Sequence, residues 1–267
     1  MRTGARLIPT ERLKPAMRRN WNRDELVVAL NLYCRIPFGK IHYRNPEIIA
    51  LAKAMDRTPS ALSWKLANFA NLDQSLKARN ISGAQHGGKL EKEIWTEFNE
   101  DWERLSYESE VIRARMSGQA ANDHLVELPE GKTKDQVIRA RINQGFFRAA
   151  ILAAYDARCC ITGLSSPELL CASHIVPWSV DIKNRTNPRN GLCLNALHDR
   201  AFDRGLITVG EDLRIKVSPK VKQLSDAGVR PLILDYENVQ IHMPGRFSPL
   251  PSFLEFHRRE VFQGTEM

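Results

Sequence analysis

The chain has 267 residues, 43% hydrophobic and 26% charged, and carries a formal net charge of +8. Unremarkable, aperiodic Gly and Pro use excludes collagen-like classes, and the hydrophobic content excludes wholesale disorder. Short apolar runs and a mean hydropathy of −0.37 predict no membrane-spanning helix, while a pI of about 9.4 suits either polyanion binding or a merely basic surface.

Residues 1–20 are polar and Arg-rich, with no apolar core. They read as a basic arm and not a secretion signal. The five cysteines are odd in number and form no CxxC pair. Free thiols in a reducing cytoplasm are therefore expected, with neither a disulfide framework nor an all-cysteine zinc site.

Residues 21–71 predict three short helices. Asn22 and Glu25 have capping-box spacing before an apolar stripe that runs to Cys34. Asn45-Pro46 opens a second helix, and Thr58-Pro59 a third. Ala61, Leu62, Trp64, Leu66 and Ala67 are expected to pack inward, leaving Arg57 and Lys65 for phosphate. This pattern suits a helix-turn-helix or Myb-like DNA-binding module; a plain helical bundle is the alternative. A loop (72–90), a helix (91–105) and a polar linker (106–134) follow. Residues 135–155 give a long helical pattern. Strands are expected at 169–176 and 191–194, a helix at 195–204, a hairpin around Gly210-Glu211-Asp212, and a closing helix at 251–263.

The chemistry concentrates in Ser173-His174, Asn190-Gly191 and His198. A His on a strand, an Asn in the following loop and a His on the next helix suit one-metal phosphodiester hydrolysis. One imidazole deprotonates water, another group holds a divalent cation, and the Asn braces the loop between them.

This ordered series resembles the HNH (ββα-metal) endonuclease family. The branch it is most similar to forms the C-terminal end of bacterial restriction-type nucleases. The resemblance rests on Arg141, Gln144, Phe147 and Arg148, on Cys160, Thr162 and Gly163, and on the run from Ser173 to Trp178. It continues in Asn190-Gly191-Leu192 with Leu194, in His198, Phe202, Asp203, Gly205 and Leu206, and in Phe253-Leu254 with His257. It implies an HNH domain over 135–267, which with the pattern above gives an α+β chain of basic arm (1–20), helical module (21–105), linker (106–134) and HNH domain.

By the same resemblance, His174 is the general base, Asn190 the bracing residue and His198 the metal ligand. Ser173 stands as a weak second ligand where many relatives carry Asp. Mg²⁺ is the expected cation, with Mn²⁺, Zn²⁺ or Ni²⁺ as alternatives. The zinc that many relatives hold on two CxxC pairs is not expected. Asp203 is about 140° and Asp199 about 100° around a helix from His198, so both are expected to point away from the metal. Arg189, Arg200 and Arg204 are candidate phosphate contacts alongside Arg57 and Lys65. The expected activity is cytoplasmic DNA cleavage in restriction or anti-phage defence, by a homodimer or by sequential nicking. A non-catalytic DNA-binding regulator and an RNA-directed nuclease are the alternatives.

Overall fold

The computed structural model describes residues 19–77, 79, 87–118 and 133–264. Most of the basic arm and the second half of the expected linker lie outside these residues.

The first helix, α1 (Arg23–Arg35), starts where the sequence places it. Asn22 Oδ1 accepts from the Glu25 amide at 2.9 Å, and Glu25 reaches back to the Asn22 amide at 3.1 Å. Every residue from Glu25 to Cys34 is buried. A helix buried on all sides sits at the centre of a bundle. Helices α2 (Pro46–Ala54) and α3 (Pro59–Ala70) follow, with Asn45 and Thr58 as N-caps. The turn α4 (Gln74–Lys77) leads to α5 (Lys89–Phe98) and α6 (Trp102–Ser117).

Two expectations need correction here. The single helix over 91–105 is broken at residues 99–101, because Asp101 caps a new helix by accepting from the Arg104 amide. Residues 106–117 are also not linker. They continue α6, and Ser106, Ser109 and Ile112 are buried beneath it.

The long helix α7 (Lys134–Ala154) packs against α1, α6, and the strands β1 (Leu170–His174) and β2 (Gly191–Asn195). These strands form an antiparallel ribbon, with Leu170 opposite Asn195 and His174 opposite Gly191. Arg148 ties β1 to α7 by donating to the Leu170 carbonyl at 2.8 Å. Gly191 is required at its position: a Cβ there would lie 2.4 Å from Ile151 and 2.7 Å from Phe147 of α7. Helix α8 (Ala196–Asp203) closes the ββα unit, capped by Asn195. The expected hairpin follows as β3 (Ile207–Val209) and β4 (Ile215–Val217), then the turns α9 (Pro219–Lys222) and α10 (Val229–Leu232). The chain ends with α11 (Pro251–Phe256) and a π-helical turn over His257–Val261.

One continuous hydrophobic core runs from Leu26 on α1 to Leu254 on α11. Arg246 seals the joint between the N-terminal helices and the ββα unit. It is fully buried, donates to the carbonyls of Cys34 and Ile36 at the end of α1, and stacks 4.6 Å from the Tyr33 ring. Arg79 adds a 2.7 Å bond to the Gly245 carbonyl. Among the described residues, no helix is long and apolar enough to cross a membrane.

Candidate active site

His174 is the last residue of β1. Its ring lies flat on Phe147 of α7, with centroids 3.8 Å apart, and edge-on to Trp178 at 5.4 Å. Its Nε2 is 2.8 Å from the Arg185 carbonyl oxygen. A carbonyl only accepts, so Nε2 carries the proton and Nδ1 keeps its lone pair. Burial pushes the imidazole below its ordinary pKa, while the Arg185 carbonyl and the Asp199 charge pull the other way. The ring is thus held in its neutral, proton-accepting form at pH 7.

Asn190 fixes that ring from behind. It is fully buried. Its Oδ1 accepts from the Val176 amide at 2.8 Å, and its Nδ2 donates to the Val176 carbonyl at 3.1 Å and the Asn184 carbonyl at 3.2 Å. Its own carbonyl accepts from Ile175. The chain just after His174 is therefore clamped to the start of β2.

A cleft opens beside His174, lined by Cys171, Ser173, Trp178, Asp199, Arg200, Asp203 and Arg204. Asp199 and Asp203 are one helical turn apart and so share a face of α8. Burial and the neighbouring Asp199 charge raise the Asp203 carboxyl, with Arg200 and Arg204 partly offsetting them. The Cys171 thiol is pushed up by burial and by Asp199, its hydrogen-bond partner. Ser173 is buried, and among the described residues its Oγ has no hydrogen-bond partner. An orphaned hydroxyl beside two mutually repelling carboxylates suits a hard divalent cation. Among the described residues no group of three or more His, Cys, Asp or Glu is arranged around a metal position. Such a cation would rest on few protein oxygens and take its remaining ligands from water and phosphate.

His198 does not face this cleft, against the expectation that it holds the metal. It is buried on the opposite side of α8. Its Nε2 donates to the Leu232 carbonyl at 2.9 Å, its Nδ1 accepts from Asn195 Nδ2 at 3.2 Å, and its ring meets Tyr236 edge-on at 4.9 Å. Both nitrogens are engaged, so neither is a free ligand. Burial works against ionisation of the Cys159 thiol, but the neighbouring His198, Thr162 and backbone amides hold its pKa down at about 7.

The arginines divide. Arg200 and Arg204 line the cleft, whereas Arg189 is half-buried on the turn before Asn190 and is not among the lining residues. Arg57 and Lys65 are not free for phosphate. Arg57 pairs with both oxygens of the buried Glu25, at 3.0 and 2.9 Å, and donates to the carbonyls of Arg19 and Asn20. Burial works against the Glu25 carboxylate, yet Arg57, the Asn22 amide and Arg19 hold its pKa below the usual value. Lys65 pairs with Glu91 and lies 5.4 Å from the Trp21 ring. Trp64, expected inside, is 66% exposed on α3.

Residues 159–210 match the sequence profile of the HNH endonucleases. The C-terminal unit contains an HNH domain. No curated protein matches the chain. Within the HNH domain the match runs from the 159–163 turn through β1, β2 and α8 to the end of β3, enclosing His174, Asn190 and the carboxylates of α8.

Asp199 and Asp203, expected to point away from the site, instead line the cleft beside His174. A signal for them exists. His198, Ala201, Phe202 and Gly205 fall at i, i+3, i+4 and i+7, a buried stripe that leaves Asp199 and Asp203 on the other face.

Proposed function

We propose that the protein is a divalent-cation-dependent DNA endonuclease with His174 as general base. The observation that carries this reading is the His174 ring: its Nε2 proton is committed to the Arg185 carbonyl and its Nδ1 lone pair is left beside a carboxylate-bearing cleft. Water gives its proton to Nδ1 as its oxygen bonds to phosphorus. The bond from phosphorus to the 3′ oxygen breaks in line and the departing oxygen takes a proton from solvent water, leaving a 5′-phosphate and a 3′-hydroxyl. Asn190 holds His174 in position, and Arg200 and Arg204 orient the phosphodiester at the cleft mouth. Asp199, Asp203 and Ser173 would hold the cation, an all-oxygen set that favours Mg²⁺ or Mn²⁺ over Zn²⁺ or Ni²⁺. Bound there, a cation supplies charge neutralisation at the phosphoryl group. A role in restriction or phage defence rests on the resemblance alone.

Incubation of the full chain with supercoiled plasmid in Mg²⁺, Mn²⁺ or EDTA tests the reading. Nicked circles that appear with metal and vanish with EDTA or in His174→Ala are expected. Intact plasmid under every metal condition would overturn it.

A further inference from the structure

The loop between β1 and β2 carries a feature that phosphate hydrolysis does not require. Val180 and Ile182 are 57% and 62% exposed, two residues apart, on the segment that begins with the cleft residues Pro177 and Trp178. Isolated exposed apolar side chains are common. A pair of β-branched ones held on a rigid loop beside a catalytic His is a different arrangement.

The loop is braced through Asp181, Asn184, Arg185 and Asn187. The Val180 amide donates to the Pro177 carbonyl at 2.9 Å. Asp181 accepts from both the amide and the side chain of Asn184, at 3.2 and 2.7 Å, so the one acidic group near the tip is turned inward. Asn184 in turn accepts from Asn187 and Asn190. Arg185 donates to the Trp178 carbonyl at 2.8 Å and stacks 5.2 Å from its ring, and its own carbonyl holds His174. The tip thus offers solvent Ser179, the two apolar side chains and Lys183, while its one carboxylate is bonded to Asn184. Apolar contact flanked by positive charge complements base edges bordered by phosphates. Rigid mounting lowers the ordering cost of insertion.

We propose that Val180 and Ile182 form an apolar wedge that enters the base stack of duplex DNA beside the scissile phosphate. Apolar wedges of this kind part adjacent base pairs and kink the duplex. The wedge strains the backbone that crosses the cleft and sets its distance from His174. The inference rests on the nuclease reading for its substrate, and is tested apart from it.

Full-length His174→Ala protein, which leaves the DNA uncut, is mixed with duplexes carrying 2-aminopurine at successive positions. Fluorescence reports unstacking and anisotropy reports binding. A fluorescence rise is expected at one or a few positions. Adding Val180→Ser and Ile182→Ser should abolish the rise while the melting temperature stays unchanged, since both positions are exposed. In the otherwise wild-type protein the same pair should slow intact-duplex cleavage roughly tenfold or more, with recovery on duplexes already unstacked by a mismatch. No rise at any position, an equal rise in the serine variants, or no duplex binding would overturn the wedge. Absence of plasmid cleavage by wild-type protein overturns the nuclease reading instead, and leaves the fluorescence result to decide the wedge.

Discussion

Replacing His198 and Asp199 one at a time tests the proposal that the histidine is structural and the carboxylate holds the cation. His198→Ala removes a buried ring and leaves the Leu232 carbonyl and Asn195 Nδ2 without their partners. Each buried polar group so abandoned costs about 1–3 kcal/mol, and the cavity adds to that. A net loss of roughly 3 kcal/mol is expected, lowering Tm by roughly 6–12 °C in a chain of this size. Cation binding should survive at temperatures where the variant is folded. Asp199→Asn keeps the shape of a half-buried side chain, so Tm should stay near wild type. It should weaken Mn²⁺ binding and abolish plasmid cleavage. Thermal unfolding, Mn²⁺ calorimetry and cleavage on the same preparations decide the matter. If His198→Ala kept its Tm and lost Mn²⁺ binding, or Asp199→Asn bound Mn²⁺ like wild type, the assignment of the two faces of α8 would be wrong.

Three further outcomes follow from the packing. Gly191→Ala forces a methyl group into Ile151 and Phe147; a loss of about 1–3 kcal/mol in chemical denaturation is expected, with reduced cleavage because Phe147 supports the His174 ring. Asn190→Asp sets a carboxylate oxygen against the carbonyls of Val176 and Asn184; it should lose several degrees of Tm and all cleavage, and wild-type activity in the variant would refute the clamp. His257 is buried between the Thr208 hydroxyl and the Phe202 carbonyl, and burial lowers its pKa to about 4. Against an unfolded value of about 6.5, the unfolded chain takes the proton first. The His257 contribution is therefore full above pH 6.5 and is lost as pH falls towards 4, reaching about 2 kcal/mol by pH 5. Unfolding at pH 7 and 5 should show that loss, and His257→Gln should flatten it.

Much of the local structure is legible in the chain itself. The Asn22, Asn45 and Thr58 caps, the apolar pattern of α7 and the β3–β4 hairpin depend on neighbours a few residues away, and they stand where sequence reasoning puts them. The strand position of His174 and the turn position of Asn190 are likewise legible, since both belong to short segments joined by local pairing. What the sequence left open is which partner each polar side chain finds. Arg57 looks like a phosphate contact until Glu25, thirty-two positions earlier, takes its guanidinium. Residues 106–117 look polar enough for a linker until α1 and α7 cover Ser106, Ser109 and Ile112. The sharpest case is α8. The helix angle that separates His198 from its aspartates holds, and it is the aspartates, not His198, that line the cleft beside His174. An isolated helix has no inside, and only the packing of Leu232, Tyr236 and Cys159 over His198 turns Asp199 and Asp203 towards His174.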